Sequence, residues 1–390
     1  MFLNLPRTYW LLWFGTFLNR LGAFVLPFLT FYLTSKLGVS PAQAALGISL
    51  FGLGSFLAQL TGGELTDRLG RRPVMLISFL VTPLVMTALG FLRELPHIVL
   101  CTFILGFITD LSRPAISAAV ADLVPSADRP RAFGYIYWAI NLGFAAAPVL
   151  AGLLAGYNYL YLFLGDAFTT LLFGLIVLFG VRETRPAEAA HVAHATLGER
   201  VAQLRRAPIL LAFSFLSLFF GMIYMQGYVA LPLAMLSAGF VEKQYGIAIA
   251  MNGVLIVFLN LPVSNAAGKW PRFTAIAIAA LLVGLGFGVT AFAFTMPIFI
   301  LSIIIWTFGE MIGSAVAPSI IADLAPIDQR GLFQGVFGAS WGLAAFLGPL
   351  AGGFVFERFG SNALWGGCFA LGCLMAVAYL ALGRAARRSV

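Results

Sequence analysis

The sequence predicts an all-α membrane protein, with twelve transmembrane helices in two pseudo-symmetric six-helix bundles. Three observations carry this. The chain has 390 residues, 61% hydrophobic and 10% charged, where a soluble domain is about half apolar and a quarter charged. Apolar stretches of about 20 residues, the length that crosses a bilayer as a helix, recur from end to end. The second half also echoes the first: ADLVPSADRPRAFG at 121–134 returns as ADLAPIDQRGLFQG at 322–335, and the same offset of 201 carries Pro148 onto Pro349 and Gly152 onto Gly353. A duplication at half the chain length in a twelve-span protein points to two related bundles.

Charged, proline and glycine-rich breaks set the elements in order. Span 1 covers roughly 9–34. Its apolar run is too long for a signal-peptide core and no small-x-small site closes it, so it is expected to be retained. Spans 2 to 6 follow at roughly 42–65, 73–92, 97–124, 131–155 and 159–181. Residues 182–207 (RETRPAEAAHVAHATLGERVAQLRR and its surroundings) form the one substantial hydrophilic link. Spans 7 to 12 follow at roughly 208–237, 243–266, 272–292, 297–324, 330–356 and 361–384. The expected domains are therefore 1–181, a linker at 182–207, and 208–390.

Basic residues orient the chain. With both termini cytoplasmic, seventeen Lys and Arg fall on the inside and four (Lys36, Arg93, Lys243 and Arg358) on the outside, leaving Arg20 and Arg113 within spans. This is a strong positive-inside bias. The net charge of +8 is thus read as loop anchoring at an anionic membrane face, with no nucleic-acid partner. The expected location is the bacterial cytoplasmic membrane, as a monomer. Cys101, Cys368 and Cys373 all lie in apolar runs and read as packing residues. His191 and His194 lie in the hydrophilic link and read as solvated, not as metal ligands. Gly268-Lys269 precedes Trp270, so no phosphate-binding loop is formed. No nucleophile elbow or zinc-ligand set is present. The expectation is a non-enzyme without cofactor.

One loop concentrates charge. GGELTDRLGRRP, residues 62–73, sits between spans 2 and 3. It resembles the signature loop of the major facilitator superfamily, and the span count and duplication extend the resemblance over the whole chain. Gly63 is expected to let span 2 lie close to a neighbour, and Asp67 at a helix end to accept from basic groups or exposed amides. The resemblance implies the major facilitator fold and a conformational latch made by Gly63, Asp67, Arg68, Gly70 and Arg72. Arg71 reads as a topology anchor. The second-half copy, SNAAGKWPRF at 264–273, keeps Lys269 and Arg272 but no acid, so the latch is expected to be one-sided. In span 5, Gly134, Gly143, Pro148 and Gly152 are similar to the antiporter motif of twelve-span drug:proton exporters, with alanine at two glycine positions.

Ionisable groups at bilayer depth are costly and mark functional candidates. Arg20 lies mid-span 1 beside Asn19; Asp110 and Arg113 lie mid-span 4 on one face; Glu310 lies mid-span 10. The resemblance implies that spans 1, 4, 7 and 10 line a central cavity. Burial disfavours a charged carboxyl, and no basic residue is near Glu310 in sequence, so Glu310 is read as the main proton-coupling acid. Asp110 is a second candidate, expected to pair with Arg113 or Arg20. Tyr32, Tyr224, Gln226, Tyr228 and Trp306 are candidates for an amphipathic cavity wall. Asp166 in span 6 is left open, one reading being a pairing residue near the outer face. Asp122 and Asp323, matched by the repeat, read as structural partners of Arg129, Arg131 or Arg330. Together these predict a secondary active transporter, a proton-coupled exporter of amphipathic small molecules by alternating access. The alternative is a symporter or exporter of a polar metabolite, to which Arg20 and Arg113 are suited.

Overall fold

The computed structural model describes residues 5–125, 128–185, 204–205, 207–325 and 330–388. Among them are twelve helices long and apolar enough to cross a membrane, and their ends agree with the expected spans to within four residues throughout. The punctuation is chemical. Spans 4, 7 and 10 begin with Pro96, Pro208 and Pro297 in the first turn, where a missing N–H costs nothing and φ is already helical. Gly38 and Gly239, one repeat apart, follow spans 1 and 7 with φ of 68° and 84°, the left-handed cap that only glycine adopts without strain. His191 and His194 lie outside the described residues.

Three spans are interrupted where the sequence reads as one continuous helix. Span 1 divides into Arg7–Leu21, Val25–Phe31 and a wider π-helical turn, Tyr32–Lys36. Span 4 divides into Leu95–Asp110 and Ser112–Leu123. Span 7 divides into Pro208–Tyr224, a 3-10 turn at Met225–Gly227, and Ala230–Ser237. Span 10 is one continuous helix, Met296–Leu324.

The chain forms two compact units. One draws on Met1–Val39, Leu46–Val192 and Val241–Val257. Within it, Tyr159 donates its hydroxyl to Glu242, and the Tyr245 ring packs edge-on against Phe28 at 5.3 Å. The other draws on Ser40–Ala45, Ala193–Phe240 and Phe258–Val390. Within that one, the Ala42 N–H donates to Glu357 Oε2 at 2.8 Å.

Without water to drive apolar association, helices in a bilayer rely on close backbone approach. A Cβ at Gly54 would lie 2.1 Å from the Phe103 carbonyl oxygen, and one at Gly106 would lie 2.1 Å from that of Phe51. Spans 2 and 4 therefore touch backbone to backbone. In the second unit Gly284 and Gly372 seat spans 9 and 12 the same way, at 2.7 Å. Large apolar side chains such as Leu84 and Phe258 are left exposed on the outside of these helices. Gly63, expected to permit a close approach, meets nothing within 4 Å; its neighbour Gly62 does so instead, at 2.9 Å from Pro114. Gly106→Ala is therefore expected to lower the thermal midpoint in detergent, by an overpacking cost of about 1–3 kcal/mol, while Gly63→Ala leaves the midpoint unchanged.

Candidate functional site

In the first unit, the break in span 4 sets Asp110 at the end of one helical segment and Arg113 in the first turn of the next. Arg113 Nε donates to Asp110 Oδ1 at 2.8 Å, and the Ser55 hydroxyl from span 2 donates to Oδ2. The Asp110 side chain is 4% exposed and that of Arg113 54%. Both carboxylate oxygens are thus engaged, by a cation and a hydroxyl. Asn19 Nδ2 donates to Thr170 Oγ1 at 2.8 Å, tying span 1 to span 6. Arg20 lies beside Gly143 of span 5, where a Cβ would come within 2.7 Å of the arginine Cβ. Tyr32, expected in a cavity wall, is buried at the Lys36 end of span 1. Its hydroxyl accepts from Arg93 at 2.7 Å and donates to the Leu92 carbonyl, and its ring packs against Tyr159 and Phe163.

In the second unit, Glu310 and span 7 come together. The Tyr224 hydroxyl donates to Glu310 Oε1 at 2.9 Å. Rings crowd around this bond: Tyr224 meets Trp306, Trp341 and Tyr228 edge-on at 5.8, 6.0 and 6.4 Å, and Trp306 stacks on Phe287 at 5.4 Å. Gln226 is spent on packing. Its Nε2 donates to the Met222 and Gly348 carbonyls, and its side chain lies against Gly352, so it joins spans 7 and 11. The sequence reading missed Trp341 and Ser55, each of which touches a candidate residue.

The loop between spans 2 and 3 is a single residue, Gly70, at φ 102°. Glu183, just after span 6, caps the helix that follows: its Oε1 accepts from the Arg71 N–H at 3.0 Å and its Oε2 from the Arg72 N–H at 3.1 Å. Arg71 is not the plain topology anchor expected of it. Its side chain is 8% exposed and reaches Asp122 through Nε at 2.9 Å and Asp67 at 3.2 Å. Asp67 thus accepts from the guanidinium, and Glu183 takes the exposed amides. Arg72 donates to the Leu178 carbonyl at 2.8 Å, and Arg68 pairs with Glu64 on the surface. The repeat corrects a second expectation. Arg272 pairs with Asp323, so the second half does supply an acid, from span 10 and not from its loop. Arg71 and Asp122 map onto Arg272 and Asp323 by the same offset of 201. Arg129, offered as a partner of Asp122, donates to the Val124 carbonyl instead.

In span 5, Gly143 admits span 1, Pro148 packs its carbonyl against Gly246, and Gly152 meets the Glu242 backbone at 2.9 Å. Gly134 meets nothing within 4 Å.

The family model for the Major Facilitator Superfamily matches residues 12–319 and 229–389. The chain belongs to the major facilitator superfamily. Among its relatives, the uncharacterized MFS-type transporter YttB of Bacillus subtilis (strain 168) is 28% identical over 363 residues, covering 92% of this chain and 91% of that protein. The tetracycline resistance protein, class H, of Pasteurella multocida is 25% identical over 318 residues, covering 78% and 76%. The crystal structure of the nucleoside transporter NupG superposes with a TM-score of 0.82 at 15% identity, covering 96% of this chain and 100% of that one. The protein is thus a multi-pass membrane transporter with the major facilitator fold.

Glu183 gives this major facilitator an acid-sensitive joint. Burial pushes its carboxyl up, but backbone N–H donors from Arg185, Arg71, Arg72 and Thr184 outweigh burial and hold it below its ordinary value of 4.5. Its contribution to stability is complete above 4.5 and is lost as pH falls through the lowered value. Glu183→Gln is therefore expected to lower the thermal midpoint at pH 7, with the difference from wild type shrinking as pH falls below 4.5 and through the lowered value.

Proposed function

We propose that the protein is a proton-coupled exporter of amphipathic small molecules, working by alternating access. The observation that carries this is Glu310: a carboxylate midway along a continuous apolar helix, hydrogen-bonded by the Tyr224 phenol, whose ring in turn meets Tyr228, Trp306 and Trp341. Protonation removes a charge from a half-buried site, which shifts the relative free energy of two conformations. Aromatic faces accept varied flat or cationic ligands. A relative named as a tetracycline resistance protein supports a drug-like substrate, and one named as a Na(+), Li(+), K(+)/H(+) antiporter of Planococcus maritimus supports proton antiport.

In this reading Asp110, committed to Arg113 and Ser55, orients span 4 and is secondary to Glu310 in coupling. Asn19, Arg20, Arg113, Tyr224, Tyr228 and Trp306 bear on substrate. Gly63, Asp67, Arg68, Gly70 and Arg72, with Arg71 added, form the latch. Gly143, Pro148 and Gly152 shape span 5, with both termini cytoplasmic. A polar anionic metabolite is the second reading, favoured by the half-exposed guanidinium of Arg113. Inverted membrane vesicles separate the two. Ethidium taken up on acidifying the lumen and released when the gradient is collapsed supports drug export. Accumulation of an organic anion in whole cells with no ethidium movement supports the second reading.

A further inference from the structure

The break in span 1 lies against an acid that the coupling scheme does not use. Helical bonding stops at Leu21 and resumes at Val25. Between them the chain turns tightly, with Ala23 N–H donating to the Arg20 carbonyl at 3.3 Å and Phe24 N–H to that of Gly22 at 2.7 Å. Asp166 of span 6 sits at this turn, 7% exposed. Its Oδ2 accepts from the Val25 N–H at 3.3 Å, and the Phe24 N–H also points to it. The turn is seated on span 6 to either side. A Cβ at Gly22 would lie 1.9 Å from Thr169 Oγ1, and one at Gly165 would lie 2.9 Å from the Phe24 ring.

The charged group acting on Asp166 is Arg20, just before the turn. Spans 3 and 5 also pack on span 6. Span 3 carries Arg71 and Arg72 at the end beside Glu183, and span 5 carries Arg129, Arg131, Tyr135 and Tyr137 in its first turns. The Arg93–Tyr32 pair lies at the Phe163 end of span 6, with Tyr159.

We propose that Asp166 is a second proton-binding residue, and that its charge state decides whether span 1 is broken or continuous. The proposal extends the proton-coupled reading above, with Glu310 in the other unit. An ionised carboxylate is a strong acceptor for the N–H groups freed at a helix start. When the carboxylate takes up a proton it loses that charge. The Val25 N–H then gains more from its ordinary helical acceptor, the Leu21 carbonyl four residues back. Discontinuous helices are where many transporters place their substrate and coupling-ion sites.

Amide hydrogen exchange of purified protein in nanodiscs tests this, with protection at Ala23 to Val25 corrected for the intrinsic rate at pH 5 and pH 8. Wild type is expected to gain at least tenfold protection at pH 5. Asp166→Asn is expected to show the pH 5 pattern at both values, and Asp166→Glu to restore the dependence. In proteoliposomes, Asp166→Asn should lose gradient-driven flux about tenfold while keeping gradient-free substrate exchange. Equal protection at both pH values in wild type, or a pH dependence that survives in Asp166→Asn, overturns the proposal. If Asp166→Asn does not fold, wild type against Asp166→Glu decides, since the longer acid must move the midpoint of the transition. Glu310→Gln should keep the pH-dependent protection, so that failure of the Glu310 scheme shows as unchanged flux in that variant and not as loss of this signal.

Discussion

Glu310→Gln is expected to cut gradient-driven transport at least tenfold while leaving gradient-free exchange of labelled substrate within about twofold of wild type. Gln matches Glu in shape, and its carbonyl oxygen can still accept from the Tyr224 hydroxyl, now 2.9 Å from Oε1. The local packing of Tyr224, Trp306 and Trp341 is therefore preserved. What is lost is the ability to bind and release a proton, and with it the differential that a proton gradient acts upon. Tyr224→Phe is the complementary change. It removes one hydrogen bond to a charged group, about 1.5–3 kcal/mol, and keeps the acid, so flux persists with a shifted pH optimum. Unchanged gradient-driven flux in purified, folded Glu310→Gln would remove Glu310 from the coupling scheme.

The second large effect is expected from Arg71→Ala, measured against Arg272→Ala. The repeat makes the two arginines equivalents, but their settings differ. Arg71 is 8% exposed and its partner Asp122 16%, whereas Arg272 and Asp323 are 47% and 58% exposed. Removing one partner of a buried pair leaves the other charge uncompensated, at about 3–5 kcal/mol. Asp122 keeps a hydrogen bond from Thr184 at 3.3 Å, so the lower end of that range applies. An exposed pair contributes about 0–1 kcal/mol. Thermal unfolding in detergent should therefore show a large drop in midpoint for Arg71→Ala and almost none for Arg272→Ala. Equal drops would mean that exposure does not govern these pairs.

Much of the fold was legible because the bilayer is a demanding solvent. It requires long apolar helices, and proline, glycine and arginine mark their ends, as at Pro96, Gly38 and Arg71. The loop at 62–73 and the offset of 201 were legible because they are local patterns of residue type. The interruptions of spans 1, 4 and 7 were not. Gly22-Ala23, Leu111 and Gln226-Gly227 are all compatible with helix, and at the first and last of these breaks the chain meets partners on other spans that no local pattern reveals: Asp166 at the first, Gly348 and Gly352 at the last. Arg71 was misread for the same reason. The less exposed of its two acids, Asp122, lies 51 residues away, and nothing in one loop distinguishes an arginine facing headgroups from one folded back onto it. Glu183 falls in RETR, where a lone acid among arginines reads as a solvated link; only the fold brings it to the start of span 3. Gln226 and Tyr32 looked like cavity groups because amphipathic side chains in a membrane have two uses, and packing against spans 11 and 6 claimed them.

Proton release on ligand binding tests the central claim most directly. Purified protein in weakly buffered detergent is mixed with saturating ethidium, and the pH change is followed with an indicator dye. Wild type is expected to release a proton as the ligand binds beside Glu310, and Glu310→Gln, binding ethidium with similar affinity, is expected to release none. Release of the same size from both proteins would contradict the account.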